Sequence, residues 1–111
     1  MIAHIALFTW EVGTDPADVA GLADALEAMA ASLPSVRHYR CGPNLHLRDG
    51  GADFAVVALV EDQAGLDAYL DSPEHVQVVG ERVKPHLATR QAVQIELGDD
   101  WLAAAAALGG R

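Results

Sequence analysis

The segment Leu66–Val83, LDAYLDSPEHVQVVGERV, decides the fold. Leu66, Tyr69 and Leu70 recur at helical spacing. The run stops at Ser72-Pro73, because proline has no amide proton with which to continue it. A new helix opens with Glu74-His75, and Val76, Val79 and Val83 fall along one side of it until Pro85 disturbs its end. This is one amphipathic helix broken in two, with an imidazole in the first turn after the break. Amide protons at such an end lack carbonyl partners and the helix macrodipole is positive there. Both push the ring toward its neutral, proton-accepting form.

Outward from that helix the chain alternates strands and helices. Ala52–Val60 reads as a strand in which Phe54, Val56 and Val60 stand out, and Asp62 caps the helix that follows. Before it, Asp49-Gly50-Gly51 is a hairpin turn, preceded by a more polar strand over Val36–Gly42. Thr14-Asp15-Pro16 starts the first helix, which carries Val19, Leu22, Leu26, Met29 and Leu33 on one stripe and ends at Pro34. Ile2–Glu11 opens the chain as a strand: Ile2, His4, Ala6, Phe8 and Trp10 face one way, Ala3, Ile5, Leu7 and Thr9 the other. Ala92–Leu97 is the last strand. The order β-α-β-β-α-β predicts an α+β, ferredoxin-like fold: a four-stranded antiparallel sheet with helices on one face. The other face is left bare, and neither face of the first strand is polar. An apolar sheet face of that kind marks an interface, so a homodimer that stacks two sheets is expected.

At 111 residues the chain is one domain, here placed at residues 1–98, with a short helical tail over residues 99–111 headed by Asp99-Asp100 and Trp101. The net charge of −9 argues against nucleic acid and against an anionic membrane surface as partners. Cys41 stands alone, so there is no internal disulfide framework, and a reducing cytoplasm is the expected compartment. No apolar run approaches a membrane span, and no basic leader precedes the first strand.

The opening IAHIALFTW, the stretch PSVRHYRCG, the strand ADFAVVALVED and the segment LDAYLDSPEHVQVV together resemble the stress-responsive α/β-barrel family, often called Dabb. The resemblance runs from Ile2 to about Leu97. It implies a ferredoxin-like unit that dimerises into one α/β barrel. It also implies a small-molecule chemistry seen in cyclases of the olivetolic acid type, which close a linear polyketide by aldol condensation without a cofactor. By motif match their base corresponds to His75, their tyrosine to Tyr69 and their first-strand histidine to His4. This chain departs at Phe54, where those cyclases have another histidine.

Each of these residues has a functional and a structural reading. His75 is a general base for an acidic α-proton, or a helix-start residue packed beside Pro73. Tyr69 is a hydrogen-bond donor to a carbonyl oxygen, or a core tyrosine on the stripe of Leu66 and Leu70. His4 orients a ligand, or is a satisfied core histidine. Phe8, Trp10, Phe54, Leu66 and Val79 are the expected walls of a small apolar pocket for a carbonyl ligand. His38, His46 and His86 show no metal-ligand spacing, Cys41 has no partner base, and Gly50-Gly51 is not a phosphate loop, so neither metal nor cofactor is expected. Two classes of function remain. The first is a cofactor-independent acid–base enzyme on a carbonyl-rich, polyketide-like molecule, with a cofactor-free monooxygenase as a variant. The second is a non-catalytic stress-responsive or ligand-binding dimer. Convergence of Tyr69, His75 and His4 on one open cavity favours the enzyme. Side chains that point apart, or space filled by Phe8, Phe54 and Met29, favour the other.

Overall fold

Ile2–Trp10 forms β1, an inner strand of the sheet, as its two apolar faces predict. The computed structural model describes residues 1–98 and 100, so the expected tail helix lies outside the described residues. After β1 come α1 (Pro16–Val19), α2 (Leu22–Ala31), β2 (His38–Pro43) and β3 (Phe54–Val60). Then follow α3 (Gln63–Leu70), α4 (Pro73–Val78), a wide π-type turn over Val79–Val83, a 3-10 turn over Lys84–His86, and β4 (Leu87–Glu96). The four strands form one antiparallel sheet in the order β2-β3-β1-β4. This is the ferredoxin-like arrangement expected from the element order.

Directly paired residues share a face, so the register sorts the sheet. One face carries His4, Ala6 and Phe8 of β1 with Phe54, Val56 and Ala58 of β3. Leu22, Leu26 and Met29 of α2 belong to the core cluster on this side, as do Tyr69 and Val83. On the other face Ile5 pairs with both Val57 and Val93. Leu7, Val57, Val93 and Ile95 are exposed there, and a hollow of about 440 Å³ lies over Ile5, Leu7 and Val93. The bare apolar face is thus present.

Three expectations need correction. The first helix is two pieces: Asp15 caps α1 by accepting from the Ala17 amide at 2.9 Å, but Ala20 is extended and Gly21 takes φ 77° before α2 begins. Val19 is therefore not continuous with the stripe of Leu22, Leu26 and Met29. Val76 is exposed instead of lining the core, and Val78 and Val79 pack there. Val83, like Val79, is at the core as expected, at the far end of the wide turn that follows α4. Finally, β4 begins at Leu87, well before Ala92. Backbone pairing to β1 holds this polar edge segment, with a register irregularity at Thr9/Trp10 that lets pairing reach Trp10 and Leu87.

Candidate active site

His4 from β1, Tyr69 from the end of α3 and His75 from α4 line one enclosed cavity of about 30 Å³. The Tyr69 ring lies edge-on to both imidazoles, with centroids 6.0 Å from His4 and 4.8 Å from His75. The fold thus brings the three residues together from separate elements. Phe8 and Val79 also line the cavity. Trp10, Phe54 and Leu66 do not. Trp10 and Phe54 form an aromatic group with Phe8, all ring centroids 5.8–6.1 Å apart, because the register sets Phe54 opposite Phe8 toward the far end of β1. Leu66 is half-buried against the core.

The break in the second helix is built on Ser72. Its hydroxyl donates to the Tyr69 carbonyl at 2.8 Å and accepts from the His75 amide at 3.1 Å. One buried oxygen therefore closes the end of α3 and opens α4, where each helix leaves groups without partners. The turn it makes carries His75 back over α3, so that the ring Nδ1 lies 3.1 Å from the Leu70 carbonyl oxygen. A carbonyl only accepts, so the neutral ring has its proton on Nδ1 and its lone pair on Nε2. Burial pushes the His75 pKa below the usual histidine value. The Leu70 hydrogen bond opposes that shift, and the Arg90 charge adds to it. The downward direction matches the expectation from sequence, and burial leads it.

His4 is buried in the sheet, and the Gln94 side-chain amide nitrogen lies 2.9 Å from its Nδ1. An amide nitrogen donates, so Nδ1 accepts and Nε2 holds the proton. The two histidines are thus held in opposite tautomers, one with a free lone pair and one with a free N–H. Burial lowers the His4 pKa, with the charges of Arg90 and His75 adding to it. Burial also raises the pKa of Tyr69, partly offset by the neighbouring Tyr39 hydroxyl and the Arg90 charge. Near neutral pH, then, the site holds neutral imidazoles and a protonated phenol.

Sequence reasoning missed Tyr39, Gln94 and Arg90. Tyr39 and Arg90 line the cavity, and Gln94 reaches it through His4. All three come from edge strands, and only the register places them: Tyr39 pairs with Ala58, which pairs with His4, which pairs with Gln94. The alternation of Tyr39 and Cys41 with polar neighbours in HYRCG was the available signal for an inward tyrosine. The Tyr39 ring stands edge-on to Tyr69 at 6.2 Å. The two phenols perturb each other's ionisation, yet the buried Tyr39 hydroxyl makes no hydrogen bond of acceptable geometry. Burial raises its pKa strongly.

Among the described residues no group of His, Cys, Asp or Glu is arranged to hold a metal ion, and no helix is long and apolar enough to cross a membrane. Cys41 sits apart from the cavity, its thiol 3.5 Å from the Ala23 carbonyl and its pKa pushed up to about 11, mainly by burial. That is the state of an inert core thiol.

An uncharacterised protein of Streptomyces coelicolor is 32% identical over 77 residues, covering 68% of this chain and 79% of that one. The crystal structure of a dimeric ferredoxin-like protein of unknown function from Thermobifida fusca is 40% identical. It superposes with a TM-score of 0.79 and covers 86% of this chain and 90% of its own. A hydroxynitrile lyase from Passiflora edulis shares the fold at a TM-score of 0.73 and 13% identity, covering 88% of this chain and 94% of the lyase. Residues 2–97, which include the whole sheet and every residue of the cavity, match the family described as the stress responsive A/B barrel domain; the chain belongs to that family, Dabb.

Proposed function

We propose that this protein is a cofactor-independent acid–base enzyme acting on a small carbonyl compound. The observation that carries the reading is the pairing of tautomers around one cavity: a lone pair on His75 Nε2 opposite hydrogen-bond donors on Tyr69 and His4. His75 takes an α-proton from the substrate, the C–H electron pair forms the C=C bond of an enolate, and the carbonyl oxygen becomes an oxyanion. The Tyr69 hydroxyl and the His4 N–H donate to that oxygen, where charge develops. Return of the proton, or attack of the enolate carbon on a second carbonyl, completes an exchange or an aldol-type step. A hydroxynitrile lyase is among the solved proteins that share this fold.

The cavity volume of about 30 Å³ suits one water and does not enclose a polyketide chain. The reacting group is therefore small, or it is the end of a molecule that stays largely outside.

The exposed apolar face is covered, in our reading, by a second copy of the chain. Its composition supports this, as does the dimeric state given for the Thermobifida fusca protein.

The tight cavity and the deep burial of Tyr69 and His4 also favour a second reading, a non-catalytic dimer in which these rings are core. Incubating the protein in D2O with a panel of small ketones and β-keto esters, and following α-deuteration by NMR, separates the two. Exchange above the solvent rate supports the enzyme; exchange at the solvent rate for every compound supports the binding protein.

A further inference from the structure

Two features of the cavity are unused by the acid–base set. The first is Arg90. It pairs with Phe8, so it lies on the helix-bearing face of the edge strand β4, while its neighbours Thr89 and Gln91 lie on the other face. It lines the cavity, is exposed, and makes no hydrogen bond or ion pair among the described residues. It is also the one permanently charged side chain in the lining, which includes no carboxylate. In a chain of net charge −9, a lone guanidinium at such a rim is a local reversal of sign. The second is Tyr39, 9% exposed, whose buried hydroxyl meets only the Tyr69 phenol and forms no hydrogen bond of acceptable geometry. A buried donor of this kind is completed by an acceptor on a ligand.

We propose that Arg90 and Tyr39 make this site selective for a keto acid, whose carboxylate rests on Arg90 at the rim while its carbonyl end enters the cavity and accepts from Tyr39. The division suits the dimensions. The enclosed volume takes only a small group, and the charged end stays where water still reaches it. Guanidinium and carboxylate match in planar, two-point geometry, which an ammonium does not offer. The inference rests on the acid–base reading for the chemistry, but it concerns recognition alone and is tested on binding.

The probes are acetoacetate and its methyl ester, titrated into the 15N-labelled protein and followed by amide chemical shifts. The acid should bind at least about tenfold more tightly than the ester, as one charge-assisted hydrogen-bonded pair allows. Arg90→Gln should remove that preference by weakening the acid about tenfold more than the ester, and Arg90→Lys should restore only part of it. Tyr39→Phe should weaken both probes alike. Equal affinity for acid and ester in the unaltered protein, a preference that survives Arg90→Gln, or no shift with either probe would each overturn the proposal. If the preference behaves as described but α-deuteration of acetoacetate does not depend on His75, recognition stands and the acid–base reading falls.

Discussion

The His75 ring nitrogen Nδ1 meets the carbonyl oxygen of Leu70 at 3.1 Å, across the break between α3 and α4. A residue on the second helix thereby satisfies one of the last carbonyls of the first. The same contact fixes the tautomer that leaves Nε2 free to accept a proton. The kink at Ser72-Pro73 is the cause of both.

Ser72→Ala should therefore act on stability and on the site together. It removes the cap on the His75 amide and one of the bonds to Tyr69 O. The expected cost is about 1–2 kcal/mol in urea denaturation, typical for loss of an N-cap serine. A variant as stable as the parent would show that Ser72 does not hold the break.

Tyr39→Phe should do the opposite. Its hydroxyl is buried and, beyond its contact with the Tyr69 phenol, forms no hydrogen bond of acceptable geometry, so replacing it with a hydrogen relieves a desolvation cost. We expect a gain of about 1 kcal/mol in unfolding free energy, measured by the same denaturation. A loss of that size would mean that the hydroxyl has a partner after all.

Stability should fall in mild acid. His4 and His75 both have folded pKa values below the ordinary 6.5. Below pH 6.5 the unfolded chain binds protons that the folded chain still refuses, so unfolding becomes easier as pH drops toward the folded values. Above that window both states are neutral at these rings and their contribution is constant. Melting temperatures of the parent and of His4→Asn, taken from pH 8 to pH 5, should converge as the pH falls. Parallel curves would contradict the assignment of the shift to His4.

Sedimentation equilibrium at micromolar concentration should give about twice the 11.7 kDa chain mass. Leu7→Glu or Val93→Glu, on the exposed face, should return the monomer. A parent protein that sediments as a monomer would remove the stacked-sheet dimer.

The sheet and the position of its helices were legible because apolar alternation and helical spacing survive in the sequence. Where they failed, backbone geometry overrode them. Gly21 breaks a helix whose side-chain spacing looks continuous, because its φ of 77° is a choice made by the backbone. Thr89, Arg90 and Gln91 carry no strand pattern, yet β1 pairs with them. The site divides in the same way. His75 and Tyr69 were found through a local motif around Pro73. Tyr39, Gln94 and Arg90 needed the order β2-β3-β1-β4, which sets residues far apart in sequence beside His4, and no local pattern encodes that order.

The most direct measurement compares chemistry with folding in His75→Ala. Its α-deuteration rate, on whichever ketone the parent exchanges, should fall by about a hundredfold or more, the usual contribution of a general base. Its unfolding free energy should fall by only about 1 kcal/mol, since the ring is half-buried and makes one hydrogen bond. Tyr69→Phe should also slow exchange. Above pH 7, parent activity should not change further with pH, because His75 is already neutral there. An exchange rate indifferent to both substitutions would contradict the account at its centre.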